Sequence, residues 1–302
     1  MSERTLLLKA VGHLEKMTAT LVDHQVHYTL PLGEDPVAFN ELVGHPLRLT
    51  FSGQINCRHC GRATRKSFNQ GYCYPCFRKL AACDLCIVSP ERCHFDQGTC
   101  REPEWGLQHC MQPHVVYVAN SSGLKVGITR RNQIPTRWID QGAQAAMPLL
   151  EVSSRYLAGL VEVAAKAHVA DRTDWRAMLK NQVPSLDLAI EGPALLERIA
   201  PELAELRARF GDEAIQVVEA VPQHLSYPVE QWPTKIKTHN PEREPVIEGQ
   251  LWGIKGQYLI LDSGVINIRK YAAYHVALEA FDAADSHHKE QSCETRNHEL
   301  FT

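Results

Sequence analysis

The sequence predicts an α+β fold in which a metal-stapled cysteine module is set between β-rich N- and C-terminal segments and a small mixed core. Three observations predict it. Nine of the ten cysteines fall between Cys57 and Cys110. Both ends of the chain carry short apolar, aromatic and β-branched runs bounded by turn residues, the pattern of strands. Apolar residues recurring at helical spacing are confined to the stretch from about residue 154 to residue 210.

The elements follow in order. Residues 1–56 form a β-rich segment, in which LLLKAVGHL, ATLVDHQVHYTLPL and PLRLTFSGQI read as strands and Leu32-Gly33-Glu34-Asp35-Pro36 as a turn. Residues 57–114 are the cysteine module, expected as loops and short hairpins held by metal. VVYVANSSGLKVGI, residues 115–128, reads as a hairpin with its turn at Asn120-Ser121-Ser122-Gly123. It opens a core over 115–212. There Ser154–Ala170 is a helix with Leu157, Leu160, Val161, Ala164 and Val169 at helical spacing. Thr173 is the expected N-cap of a short helix through Trp175, Met178 and Leu179. Pro193–Phe210 is a further helix, ending at Gly211 with Arg207 and Arg209 in its last turn. Residues 213–285 return to strands in AIQVVEAV, VIEGQLWGIKG, QYLILDSG and VINIRK, with turns at Lys255-Gly256 and Asp262-Ser263-Gly264. The polar stretch 286–302 is expected to be a flexible tail.

The N-terminal MSERTLLLKAVGHLEKM has only a short apolar stretch broken by Lys9, which is not a secretory signal. No apolar run has the length needed to cross a bilayer. A cytoplasmic protein away from the membrane is therefore expected, and its cysteines read as metal ligands rather than disulfides. Cys57-x-x-Cys60 and Cys73-x-x-Cys76 have the spacing of a zinc ribbon or knuckle. Two paired thiols converge on one tetrahedral zinc, and Gly61 permits the tight turn after the first pair. Cys83, Cys86, Cys93 and Cys100 offer a second set, for which His94, His109, Cys110 and His114 are alternative ligands. Some of these thiols read equally as small buried apolar groups. Four protein ligands saturate a zinc, so both sites are expected to be structural.

The formal net charge of −3 excludes a protein coated in basic residues, but the charge is uneven. Residues 57–82 hold six Arg or Lys, Arg65 and Lys66 among them, and no acid. Residues 125–137 add Lys125, Arg130, Arg131 and Arg137, again without an acid. Two such stretches beside a metal module point to a nucleic-acid partner, DNA or RNA, gripped at its phosphates.

Val116-Tyr117, Lys125-Val126-Gly127, Arg137-Trp138 and Glu162, taken in that order, resemble the GIY-YIG nuclease superfamily over about residues 115–182. The resemblance implies a small α/β nuclease core in which a hairpin carries Tyr117 and Gly127 and later helices present Arg137 and Glu162. It also implies a catalytic set of Tyr117, Lys125, Arg137 and Glu162. In that set Tyr117 orients or deprotonates water, Arg137 pairs with the phosphate and Glu162 holds Mg²⁺ or Mn²⁺. Asn181 falls where a further polar residue would stand. Lys125 replaces the second tyrosine, a departure that weakens activity more than fold. A retired nuclease core that only binds nucleic acid, or a zinc-stapled interaction scaffold, are the alternatives to an endonuclease. Over the whole chain, GQINCRHCGRATRKSFNQGYCYPCF, GTCREPEWG and SSGLKVGITRRNQIPTRWIDQGA are similar to a bacterial family known as domain of unknown function 2797, which implies no activity.

Overall fold

A computed structural model describes residues 5–169 and 174–283. Ala170, Thr173 and the tail 286–302, with Cys293, lie outside the described residues. The chain begins with β1 (Leu6–His13), β2 (Thr18–Val22), β3 (Gln25–Leu30), β4 (Val37–Ala38) and β5 (Pro46–Ile55). ATLVDHQVHYTLPL is not one strand but the β2–β3 hairpin. It turns at Asp23 and His24, both at positive φ (47° and 66°), the geometry that matches strand twist in a two-residue loop.

The first part of the cysteine module has loops with small antiparallel bridges, Asn56 with Ala63 and Phe68 with Tyr72, and from Tyr74 onward it is helical rather than built of hairpins. It contains α1 (Tyr74–Lys79), 3-10 turns at Ala81–Cys83, Leu85–Ile87 and Pro90–Arg92, and α2 (Pro103–His109). The core follows as β6 (His114–Asn120), β7 (Leu124–Arg130), α3 (Thr136–Asp140), β8 (Ala145–Val152), α4 (Arg155–Lys166), α5 (Trp175–Leu179), α6 (Leu188–Arg198) and α7 (Ala200–Phe210). Ser154 caps α4 by accepting from Leu157 N–H at 3.2 Å. Asp174, rather than Thr173, caps α5 through Arg176 and Ala177 N–H. The helix expected from Pro193 is two helices. Asp187 caps the first, and the second restarts with Pro201 in its first turn, where a missing N–H costs nothing. Then come β9 (Ile215–Val217), β10 (Gln223–His224), β11 (Val246–Lys255), β12 (Tyr258–Leu261), β13 (Gly264–Asn267) and β14 (Tyr274–Phe281).

The two β-rich ends share one antiparallel sheet of order β1-β14-β5-β11-β12-β13. β2, β3 and β4 make a separate small sheet. The core sheet runs β10-β8-β6-β7, with β9 also on β8. Every residue of β6 is buried, because this sheet is a central layer. Val116, Val118, Val126 and Ile128 face α4, α6 and α7. Val115, Tyr117 and Ala119 face the other way, into a core shared with Trp138, Ile139 and the large sheet. A strand covered on both faces reads as a continuous apolar run, as this one does.

β14 lies between β1 and β5 and pins the two chain ends together. Leu278 is 1 % exposed, whereas Leu6 on β1 is 48 % exposed. Leu278→Ala is expected to cost about 2–5 kcal/mol in a urea titration, and Leu6→Ala within about 0.5 kcal/mol. Equal effects of the two would mean that β14 is not packed as described.

Candidate functional site

The first four thiols meet. The Sγ atoms of Cys57, Cys60, Cys73 and Cys76 all lie within 4.8 Å of one another. Four sulfurs bound tetrahedrally at about 2.3 Å from a zinc stand about 3.8 Å apart. Cys60 Sγ and Cys73 Sγ are 3.8 Å apart, so the donors fit this ion. The first pair sits on a knuckle where Gly61 N–H donates to Cys57 O at 2.8 Å and Gly61 takes φ +68°. The second pair differs from a ribbon's second knuckle: Cys73 is the N-cap of α1 and Cys76 lies in its first turn, beside Pro75. Burial pushes the Cys57 thiol up, but N–H groups of Cys73, Cys60 and His59 with the Cys60 thiol outweigh it and bring it down to about 6. Burial and the three neighbouring thiols push Cys76 the opposite way. Four converging thiols are a set whose protons one divalent cation can replace.

The later cysteines divide. Cys86, Cys93, Cys100 and Cys110 line one cavity of about 20 Å³, with Phe95 and Trp105. Cys83 does not line it. Burial raises its thiol, while the Asn69 side chain hydrogen-bonds it on the side of the first site. Asp84, Cys86 and His94 also come within 4.8 Å of one another, but Asp84 is held by Arg101 Nε at 2.6 Å. The stretch Gly98–Gly106, to which the sequence attached no chemistry, ties the module together. Arg101 donates to Phe77 O and Leu80 O, and Glu102 accepts from Ala81 N–H at 2.7 Å.

Tyr117, Arg137 and Glu162 are electrostatic neighbours. Burial raises the Tyr117 hydroxyl, with the Arg137 guanidinium opposing and Glu162 adding to the rise. Burial also raises the Glu162 carboxyl, against Lys166, Arg137 and Arg155. Tyr117 is 0 % exposed and donates its proton to Gln141 Oε1 at 2.9 Å, so it is not a base at neutral pH. Its ring lies over Gly127, its register partner, where an added Cβ would come within 2.6 Å of the hydroxyl oxygen. Lys125 is buried on β7 opposite Ala119, on the same sheet face. Asn181 stands apart from Arg137: its Oδ1 accepts from Gln144 Nε2 at 2.6 Å and from Lys255 Nζ at 3.4 Å. Lys255 itself was not foreseen. It is fully buried between the rings of Tyr227 and Trp232, and burial brings it down to about 8.

The basic residues also divide. Arg131 is neutralised by Glu151, to which Nε donates at 2.7 Å. Lys66 lies over Phe68, and Arg65 lines an open groove beside β5. Arg130 stands beside His114 and Cys110. Two arginines outside the expected set join Arg137 instead. Burial lowers Arg269, Asp140 opposes this, and Arg137 and Arg58 lower it further. Arg155 is lowered by burial, raised by Cys110, and lowered by Arg137. Arg58 follows the first zinc ligand, and Arg269 donates to Gln70 Oε1 at 2.7 Å across to the module.

A family model described as Protein of unknown function (DUF2797) matches residues 44–276. The chain belongs to this family. No curated protein and no solved structure matches it. The span that defines a DUF2797 protein here takes in β5, the whole cysteine module, the β6–β7 hairpin and the arginine cluster, and it begins after β4. No described helix is long and apolar enough to cross a membrane.

Chelation with a strong zinc chelator is expected to unfold the module, opening the Arg62–Gln70 loop to trypsin while the core sheet stays protected. A metal-free protein as resistant as the zinc-loaded one would contradict this. His114, fully buried on β6, is brought down to about 4 by burial, the hydrogen bond to Gln112 O opposing and Arg155 and Arg130 assisting. Between about pH 6.5 and pH 4 the unfolded chain binds a proton there that the folded chain does not. Stability present above about pH 6.5 is therefore lost as pH falls, by about 3 kcal/mol. In urea titrations at pH 7 and pH 4.5, His114→Gln is expected to show a smaller difference than the wild type.

Proposed function

We propose that the protein binds nucleic acid at its phosphates, through a surface centred on Arg137. The observation that carries this reading is that Arg155 and Arg269, each lowered first by burial, are both within electrostatic reach of Arg137, and Arg269 also of Arg58, although the four come from separate segments of the chain. Like charges gathered at one place cost stability, and a phosphate group offsets that cost through forked, charge-assisted hydrogen bonds. Zinc at Cys57, Cys60, Cys73 and Cys76 is structural in this reading. It fixes Arg58 against the rest of the cluster.

The GIY-YIG resemblance extends the proposal to hydrolysis. Glu162 is one of two acidic groups among the arginines, with Asp140, and would hold a Mg²⁺ or Mn²⁺ ion, displacing Lys166, whose Nζ lies 3.7 Å away. Tyr117 then acts as a positioning residue for Arg137, because its proton is committed to Gln141. Lys125 would contribute a phosphate contact rather than a proton relay. The second reading, a non-catalytic nucleic-acid binder, draws its support from that buried tyrosine and from Lys125 where the GIY-YIG superfamily carries tyrosine.

Fluorescence anisotropy with labelled single- and double-stranded DNA and RNA tests the binding. Affinity is expected to fall steeply with salt, and Arg137→Ala to weaken it about tenfold or more. Incubation with Mg²⁺ or Mn²⁺ tests the chemistry: cleavage is expected, and Glu162→Gln is expected to remove it while leaving binding in place. Binding without cleavage selects the non-catalytic reading. Absence of salt-dependent binding to every probe overturns both.

A further inference from the structure

We infer that Cys86, Cys93, Cys100 and Cys110 hold a second structural zinc ion, with Cys83 outside the set. The four thiols line one cavity, more widely spaced than those of the first site, and come from four separate places: the 3-10 turn Leu85–Ile87, the residue after the turn Pro90–Arg92, the third residue before α2, and the C-cap of α2. The cavity, about 20 Å³, has room for one ion or one water. Its remaining wall combines Ala81, Phe95 and Trp105 with Asp84 and His94, and the apolar part shields a saturated metal. Gly106 belongs to this construction, since a Cβ there would stand 3.3 Å from Cys100 Sγ and 3.0 Å from Phe95.

Three further observations support the assignment. No residue from 56 to 114 belongs to any of the three hydrophobic clusters, so this stretch lacks the core that would otherwise hold its turns. Four thiols used only as small apolar groups would leave it unstapled beyond Cys76. Charge is partly offset. Zinc with four thiolates carries about −2, and the part-buried Arg155 is drawn electrostatically to Cys110 and Cys86. Its Nε has no hydrogen-bond partner, while Nη2 donates to Ile87 O at 2.6 Å. The competing trio is Asp84, Cys86 and His94: Asp84 is committed to Arg101 and to Leu85 N–H, whereas His94, bonded at Nδ1 to Thr99 Oγ1, turns its Nε2 toward Asp84 Oδ2 at 3.5 Å.

Zinc released by a mercurial from the full-length protein, folded with excess zinc and desalted, is the test. About two ions per chain are expected for the wild type, and about one for Cys100→Ser, Cys110→Ser or Cys60→Ser. Cys83→Ser, Asp84→Asn and His94→Ala are expected to keep about two. Cobalt substitution gives an independent reading, with thiolate-to-cobalt absorption in the wild type about twice that of Cys110→Ser. About one zinc in the wild type, a count that needs no variant, overturns the inference. So does loss of an ion in Asp84→Asn with retention in Cys110→Ser.

Discussion

The cysteine module has no hydrophobic core of its own, and the convergence of its thiols is the constraint on which the remaining architecture depends. Residues 57–110 contain short helices and 3-10 turns whose apolar groups join none of the three clusters. Such turns order only if something other than apolar burial offsets their conformational entropy. A metal ion held by the four converging thiols would do this without needing area. It also sets position, because the module touches the core on two sides. At one side Arg58 lies by Gly71 and near Arg269, whose partner Gln70 belongs to the loop between the zinc pairs. At the other, Gly159 of α4 meets the turn at Pro90–Glu91 so closely that a Cβ would come within 2.6 Å of it. The same helix carries Arg155 and Glu162.

The central sheet answers a different demand. It must bury both faces and still bring a polar group near its edge. Tyr117 does so by lying across Gly127, where the absent side chain leaves space for its ring. The cost of burying that hydroxyl is offset by the hydrogen bond to Gln141. A raised, proton-donating tyrosine positions its neighbours, and this follows from burial on both faces of β6 rather than from any departure in the motif.

Much of this was legible in the sequence, and the parts that were not have physical reasons. The hairpin at 114–130 and the zinc set at Cys57, Cys60, Cys73 and Cys76 rest on local patterns, turn residues and paired thiols. β14 and β8 were missed because their residues favour helices: VALEA in one, AAMPLLEV in the other. Tertiary pairing overrides that preference. Pro148 is tolerated inside β8 because the register slips between Val116 and Tyr117, where a bulge spares it a ladder hydrogen bond. In the cysteine region, chain adjacency says little about position: Cys83, three residues from Cys86, does not line the cavity that Cys86 shares with Cys110 at the far end of α2. Arg131 looked like a phosphate contact until β8 brought Glu151 beside it. Arg155 and Arg269 carried no local signal, since only the packing of α4 and the large sheet brings them to Arg137.

That last point bears on what the cluster can do. A metal centre of about −2 charge would be expected to attract cations to itself, and Arg58 is the arginine that its backbone places nearest. Arg58 lowers the Cys83 thiol and also Arg269, so its charge reaches the cluster as well as the sulfurs. Asp140 and Glu162 are the acids that enter the cluster's electrostatics, and Asp140 is already held by Lys16 at 2.5 Å and by Gln257 at 3.0 Å. The arginines therefore outnumber the acids free to answer them, and the excess is fixed by two rigid attachments instead of by flexible surface loops. On the proposed reading that rigidity gives the zinc its functional meaning. It keeps like charges together at a separation they would otherwise relax, and a phosphate entering between them meets donors that need not reorganise.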